Sequence, residues 1–338
     1  MRRLCAALLM SAAAAAAAAP PAYVNRAEVR QFIAEMVAKH GFVKKEMEFL
    51  FRRARFEPAI IKAMTPPAEA PVRSWREYRA LFLNAQRIDA GVQFRARHDA
   101  TLARATAEFG VPEEIIVAII GVETLYGRNL GAYRVIDALA TLAFDFPPRA
   151  RFFRAELENY LLYAREAGID VFKLKGSYAG AIGIPQFMPG SYRRFALDYD
   201  GDGQADLATS AADAIGSVAN FLKGHGWERG EQVAYAAEVI GERWRALADA
   251  GVVPMYRAGD LPAFGVTPGQ ALPAEKPCAL IELETPGQAS EFRVGLRNFY
   301  VLTRYNRSSF YASAVIDLAD AIARARRAPG EHFDKVKQ

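Results

Sequence analysis

Cysteine is almost missing from this chain. Only Cys5 and Cys278 occur in its 338 residues. Cys5 lies at the head of an apolar leader, so a chain trimmed of that leader keeps one thiol and can form no intramolecular disulfide. Histidine is equally sparse. His40, His98, His225 and His332 are scattered, and their spacing fits neither a zinc site nor a catalytic triad. A phosphate-binding GxxxxGK and a nucleophilic GxSxG are both absent. Charge of one sign is not concentrated either: the net charge is +5, from 43 Lys and Arg against 38 Asp and Glu. That balance suits an anionic polymer as partner but lacks the basic face that nucleic acid demands, so no nucleic-acid partner is expected. No repeat of roughly 20 to 50 residues is visible. No apolar run reaches the ~20 residues of a membrane-spanning helix.

The nearest approach to such a run is at the start. Arg2 and Arg3 precede Leu4 to Ala19, rich in Ala and Leu, and Pro20, Pro21 and Ala22 follow. A charged head, an apolar middle and a small-residue end are the parts of a secretory signal, placing 1–22 as a signal peptide and the mature chain in the periplasm. Cys5 precedes the apolar run instead of ending it, so a soluble form is expected over a lipid-anchored one.

Beyond the leader, 52% hydrophobic and 24% charged residues describe an ordinary globular protein with a substantial core. Asn25 to Ala63 reads as helical, and Thr65 to Val72 is a Pro-rich break. Helical spacing resumes from Trp75 to Glu108, in the Val111–Gly127 segment, at Ile136 to Ala143, from Phe152 to Gly168 and from Ala212 to Lys223. Phe144 to Arg149 reads as a loop. Past Gly230 the texture changes, with β-type runs at Ala279 to Glu284 and Glu291 to Leu296, a further strand pattern at Tyr300 to Arg304, and a final helix from Ser309 to Arg326. The expected fold is mainly α, with a small β-containing insertion in the last third. The expected divisions are an N-terminal helical region at 23–85, a catalytic core at 86–230, a β-containing subdomain at 231–297 and a C-terminal core segment and helix at 298–338.

The segment VPEEIIVAIIGVETLYG holds the first candidate for chemistry. Pro112 suits the first helical position, Glu113 and Glu114 favour the positive end of the helix dipole, and Gly127 fits a C-cap. Ile116, Ile119 and Ile120 mark an apolar face. Glu123 falls seven, four and three positions after them and shares that face. A carboxyl group desolvated there keeps its proton toward neutral pH, as a general acid requires. From these residues alone, a structural Glu held by an Arg fits equally well. Most glycosidases use two carboxylates, yet no partner stands out: Asp145 lies in a loop, and Glu156 and Glu158 suit the polar side of a solvated helix.

A second cluster runs from Asp198 to Asp206. Asp198, Asp200, Asp202 and Gly203 match positions 1, 3, 5 and 6 of a calcium loop, and Gln204 would offer a backbone carbonyl at position 7. Position 12 is Thr209 where a bidentate Glu is usual, and Asp213 is the residue expected to close the site. An Asx-rich turn without metal is the alternative. The third set is aromatic and amide: Tyr78, Tyr178, Gln186, Phe187, Tyr192, Tyr305, Asn306 and Tyr311, with Gln186 inside the Gly-rich stretch KGSYAGAIGIPQFMPGS. Flat rings and edge amides suit sugars, although a Tyr taken singly is more often a packing residue.

Together these features resemble the membrane-bound lytic murein transglycosylase B family. The resemblance rests on Gly121-Val-Glu-Thr124, Asp137-Ala-Leu-Ala-Thr-Leu142, Lys175-Gly-Ser177, Gln186-Phe-Met-Pro189, Gly216-Ser-Val-Ala-Asn220, Asn298-Phe-Tyr300 and Arg304-Tyr-Asn306, with the acidic loop in its place. It implies a lysozyme-like helical core and cleavage of the MurNAc–GlcNAc β-1,4 bond of peptidoglycan without water, leaving 1,6-anhydro-MurNAc ends. It also implies Glu123 as acid and then base, since the substrate's own C6 hydroxyl is the nucleophile. Substrate contacts would come from Tyr78, Arg149, Ser177, Gln186, Asn220, Tyr305, Asn306 and Tyr311, and a structural Ca2+ would sit on Asp198, Asp200, Asp202, Gln204 and Asp213. No organic cofactor is implied. The partners are glycan strands, with cell-wall synthesis or remodelling proteins admitted, and a monomer is expected. Two positions depart from the family pattern: Phe221 stands where a tyrosine hydroxyl occurs, and Pro148 replaces one of two arginines. A hydrolytic muramidase on the same fold and a non-catalytic peptidoglycan-binding protein are the competing readings.

Overall fold

A computed structural model describes residues 22–65 and 74–327. The leader through residue 21 and the stretch at 66–73, which holds most of the expected Pro-rich break, lie outside the described residues. The chain divides between Phe56 and Glu57 into two compact units. That places the boundary well before residue 85, because the helices that follow residue 57 have their buried side chains in the second unit.

In the first unit, a 3-10 turn (Tyr23–Asn25) precedes α1 (Ala27–His40) and α2 (Lys44–Arg53). Where the sequence reads as one continuous helical stretch, Gly41 at φ 66° caps α1 in the left-handed conformation, so the chain turns there. Phe32, Ile33 and Met36 face Met47, Leu50 and Phe51 in the small core, with the Phe32 and Phe51 rings edge to face at 5.9 Å.

The second unit opens with α3 (Pro58–Met64), α4 (Trp75–Phe82), α5 (Ala85–Arg97), α6 (Asp99–Phe109) and α7 (Glu113–Thr124). The long helical stretch expected from Trp75 to Glu108 is thus three helices. Asn84 caps α5 by accepting from the Arg87 N–H at 3.0 Å, satisfying a donor that a continuous helix would not leave free. Next come β1 (Tyr133–Arg134), α8 (Val135–Asp145), α9 (Ala150–Glu166), β2 (Lys175–Gly176), α10 (Pro189–Phe195) and α11 (Ala211–Gly224). The β-containing part holds β3 (Ala234–Val239), α12 (Arg245–Asp249), β4 (Tyr256–Arg257), β5 (Val266–Pro268), β6 (Pro277–Leu283) and β7 (Glu291–Gly295), before α13 (Arg297–Tyr305) and α14 (Ser309–Arg327) close the chain.

α7 is the axis of the helical body. Every residue from Ile115 to Gly121 is buried, so this is a helix apolar all round, not the one-sided helix its spacing suggests. α14 lies along it, with α5, α6 and α11 as further neighbours. The β-containing part is a five-stranded antiparallel sheet in the order β4-β6-β7-β3-β5. One face covers Trp244, Leu247, Leu261, Val266, Cys278, Leu280 and Val294. Tyr300 to Arg304 is helical, part of α13, not a strand. Its aromatic and β-branched residues mimic β composition, but Asn298, Phe299, Val301 and Leu302 are buried with helical spacing.

Candidate active site

α7 stops one residue after Glu123. Pro112 is the N-cap instead of the first helical residue, and the helix ends at Thr124 with Leu125 as C-cap, two residues short of Gly127. Leu125 and Tyr126 both adopt positive φ, at 50° and 61°, a costly backbone for side-chain-bearing residues and one that clusters at functional sites. Thr124, buried, closes the turn: its hydroxyl donates to Ile184 O at 2.8 Å and accepts from Gly127 N–H at 3.0 Å. The last turn of α7 is thereby tied to the Gly-rich loop that carries Gln186.

Glu123 is partly open to solvent, yet apolar surroundings desolvate its carboxyl and push its pKa up to about 7, while a hydrogen bond from Tyr311 opposes the shift. The Tyr311 hydroxyl donates to Glu123 Oε1 at 2.7 Å. Burial, and next the charge of Glu123, hold the Tyr311 hydroxyl well above the usual tyrosine range, so it stays a donor. The Tyr305 ring lies parallel to that of Tyr311, centroids 6.3 Å apart, and its hydroxyl donates to Pro185 O at 2.6 Å. Tyr78 reaches the same region through Phe310, ring to ring at 5.7 Å.

Gln186 is a third non-glycine residue at positive φ, 52°. Its amide Nε2 donates to Gly183 O at 2.8 Å and Leu130 O at 3.3 Å, joining two loops beside Glu123. At Gly131, φ 94°, a Cβ would lie 2.0 Å from Gly176 O, so only glycine allows these loops to meet. Ser177 organises the turn after β2, accepting from Ala181 N–H at 3.0 Å. On α11, the Asn220 amide donates to Phe195 O at 3.0 Å, and the neighbouring Phe221 ring packs 4.8 Å from Tyr305. Glu123, Tyr311, Tyr305 and the Gln186 loop are thus gathered by direct contacts. Arg149 is exposed, its guanidinium over Phe152 and Phe153 at 4.5 and 5.0 Å, and Asn306 is exposed past the end of α13.

Three residues the sequence reading passed over support the site. Arg87 donates from Nε to Gly121 O at 3.1 Å, and Tyr126 donates to Arg87 O at 3.0 Å, so the C-terminal turn of α7 has partners for its carbonyls. Glu156 is half-buried, not solvated: it accepts from Gly190 N–H at 2.7 Å, and burial raises its pKa. Its job is to satisfy the start of α10, which no helical periodicity reveals.

In the acidic loop, carboxylate oxygens of Asp198, Asp200 and Asp202 lie within 4.8 Å of one another, all three side chains exposed. Among the described residues no Lys or Arg pairs with them. Three like charges so close repel, and hard oxygen donors at this spacing fit a divalent cation such as Ca2+. Asp213 stands apart from that trio. It is fully buried and accepts from the backbone N–H groups of Tyr199, Asp200 and Asp206 at 2.6, 3.2 and 2.8 Å. It shapes the loop from inside. The sequence could not separate these roles, because both need a carboxylate in the same register.

Comparison with known proteins sets this geometry among relatives. The family described as Transglycosylase SLT domain matches residues 25–320. Membrane-bound lytic murein transglycosylase B of Escherichia coli (strain K12) is 41% identical over 312 residues, 90% of this chain and 85% of that protein. The soluble lytic transglycosylase SltB1 of Pseudomonas aeruginosa is 48% identical with a TM-score of 0.83, covering 89% of this chain and 100% of that one. Lytic transglycosylase Slt35 of Escherichia coli, solved in complex with calcium, is 41% identical with a TM-score of 0.80, covering 90% and 95%. The membrane-bound name of the first relative overturns the expectation of a soluble, unanchored protein drawn from the position of Cys5. Relatives named membrane-bound and soluble share this fold, so nothing in the folded body discriminates between the two states. With the helical body, the lone buried acid and the acidic loop all in place, the chain belongs to the membrane-bound lytic murein transglycosylase B family, enzymes with a lysozyme-like fold.

Proposed function

We propose that this chain cleaves the MurNAc–GlcNAc β-1,4 bond of peptidoglycan without water and leaves a 1,6-anhydro-MurNAc end. The observation that carries this reading is Glu123: a carboxyl raised to about 7, whose proton affinity is set by burial and by Tyr311, with no second carboxylate among the causes. As an acid it gives its proton to the glycosidic oxygen as the bond to C1 breaks. As the resulting carboxylate it takes the proton of the C6 hydroxyl, whose oxygen closes on C1. The proton count returns to its start after one turnover, so one carboxyl suffices. The Tyr311 hydroxyl steadies the carboxylate between the two steps. Tyr78 and Tyr305 supply ring faces, and Gln186, Ser177 and Asn220 supply polar groups for the sugar edges; Arg149 and Asn306 stand farther out as contacts for an extended strand.

Asp198, Asp200 and Asp202, with the Gln204 carbonyl, would hold a calcium ion, whose contribution is to neutralise the loop and stiffen it. The calcium-bound relative supports this assignment. The chain works as a monomer, its site built from one polypeptide.

The test is mass spectrometry of products released from purified sacculi by the wild type and by Glu123→Gln. Anhydro ends, one water lighter than reducing ends, are expected from the wild type, and no release from the variant. Reducing ends throughout would establish a hydrolytic muramidase instead.

A further inference from the structure

From Glu123 an aromatic strip leads away across the cleft. Tyr311 touches the acid, Tyr305 lies parallel to Tyr311, Phe221 is 4.8 Å from Tyr305, and His225 stacks on Phe221 at 4.2 Å. Phe195 closes the strip, 5.0 Å from His225. Arginines flank its far end. Arg194 is exposed and sits 4.9 Å over the Phe195 ring. Arg304 and Arg297 cover the Tyr300 ring at 4.3 and 5.3 Å, and Arg297 Nη2 reaches His225 O at 3.4 Å.

Elsewhere in the chain arginines are mostly paired. Arg193, adjacent to Arg194, is held by Glu166 at 2.8 Å, and Arg79 and Arg293 share Asp317 at 2.6 Å each. Among the described residues no carboxylate pairs with Arg194, Arg297 or Arg304. Arg304 is also under-satisfied, its Nε buried with no hydrogen-bond acceptor. His225 adds no positive charge of its own: burial lowers its pKa and the charges of Arg194 and Arg304 lower it further, which also places both guanidiniums close to the ring. Its Nδ1 lies 2.8 Å from Phe221 O, which fixes the ring as a flat wall.

We propose that Arg194 and Arg304, set on either side of His225 at the end of this strip, form a subsite for a carboxylate of the peptide stem on the glycan strand. Guanidinium forks match planar carboxylates, and uncompensated positive charge beside an apolar wall favours an anion at the end of a chain already lying on the strip. The inference rests on the reading that a stem-bearing strand is cleaved at Glu123, and it names what part of that strand is recognised beyond the sugars.

The experiment compares kinetics on two soluble substrates: stem-bearing glycan strands, and the same strands with their carboxylates converted to methylamides. For the wild type, KM is expected to rise about tenfold on amidation, the scale of one charge-assisted hydrogen bond, with kcat nearly constant. Arg194→Gln and Arg304→Gln should raise KM on the native strands by a similar factor and respond little to amidation, and Arg→Lys at either position should restore part of the discrimination. Melting curves separate this from unfolding. Equal KM for both substrates with the wild type, or variants that discriminate as well as the wild type, would overturn the subsite. Failure of the cleavage chemistry would show instead as reducing ends in the products, whatever the KM pattern.

Discussion

Tyr311 donates a 2.7 Å hydrogen bond to the carboxyl of Glu123 across 188 residues of chain. One partner is in the last turn of the central helix, the other in the first turn of the last. A phenol donor favours the charged form of an acid that its surroundings hold protonated, so the two effects oppose each other at the group on which the reaction turns.

Removing the donor is therefore expected to raise the pKa of Glu123 above about 7. In Tyr311→Phe the alkaline limb of the kcat/KM profile should move to higher pH, because the acid keeps its proton longer. The rate at the optimum should fall, since the carboxylate formed in the first step is less stabilised. A limb that stays put or moves down would show that Tyr311 does not tune the acid.

Stability should carry the same signature. The Glu123 pKa is raised in the fold from its ordinary 4.5 to about 7, so between these values the native state binds the proton that the unfolded chain has released. Stability then falls as pH rises through this window and levels off above it. Glu123→Gln keeps an acceptor for Tyr311 and removes the ionisation. Its Tm should approach the wild-type value near pH 4.5 and exceed it increasingly toward pH 7 and 8. Activity should drop about a thousandfold, as expected for loss of a general acid. A Tm difference independent of pH would mean that the burial of Glu123 is not reflected in its proton affinity.

Space at Gly121 is set by Tyr126. A Cβ added there would lie 2.5 Å from the Tyr126 hydroxyl oxygen and 2.7 Å from Cζ, while that hydroxyl is fastened to Arg87 O. Gly121→Ala should cost about 1–3 kcal/mol in urea unfolding through overpacking. It should also lower kcat, since Glu123 follows two residues later on the same turn. A neutral substitution would show that the Tyr126 ring moves aside freely.

The acidic loop offers two separable outcomes. Added Ca2+ should raise Tm and chelator should reverse it, and Asp200→Asn should weaken that response, because the converging carboxylates are its binding groups. Asp213→Ala should destabilise the chain by about 3 kcal/mol with or without Ca2+, since three backbone N–H groups lose their charged acceptor. If Asp213→Ala behaved normally in chelator and lost only the calcium response, its carboxylate would be a ligand and not the frame of the loop.

Much of this was legible in the sequence. The apolar spacing before Glu123, the Asp register with its glycine, and the helix-to-strand change near residue 230 all follow from local chemistry: 3.6-residue periodicity, turn residues and β-branched runs each act over a few positions. Breaks inside helical stretches were harder to see, because Asn84 reads as an ordinary polar residue until it is found capping α5. Tyr300 to Arg304 misled for the opposite reason, its composition favouring a strand while burial on one side keeps it helical.

The sequence by itself determined that a carboxyl would sit on the apolar central helix and that three aspartates would crowd one loop, because both depend on neighbours along the chain. Only the tertiary structure decided which groups surround them. Tyr311 and Tyr305 arrive at Glu123 from the far end of the chain. Thr124 is tied to the Gln186 loop by a bond spanning 60 residues, and Asp213 turns inward to backbone amides instead of outward to the trio. Proton affinity, strand path and loop shape are properties of those long-range contacts, and desolvation is created only when distant segments close over the same carboxyl.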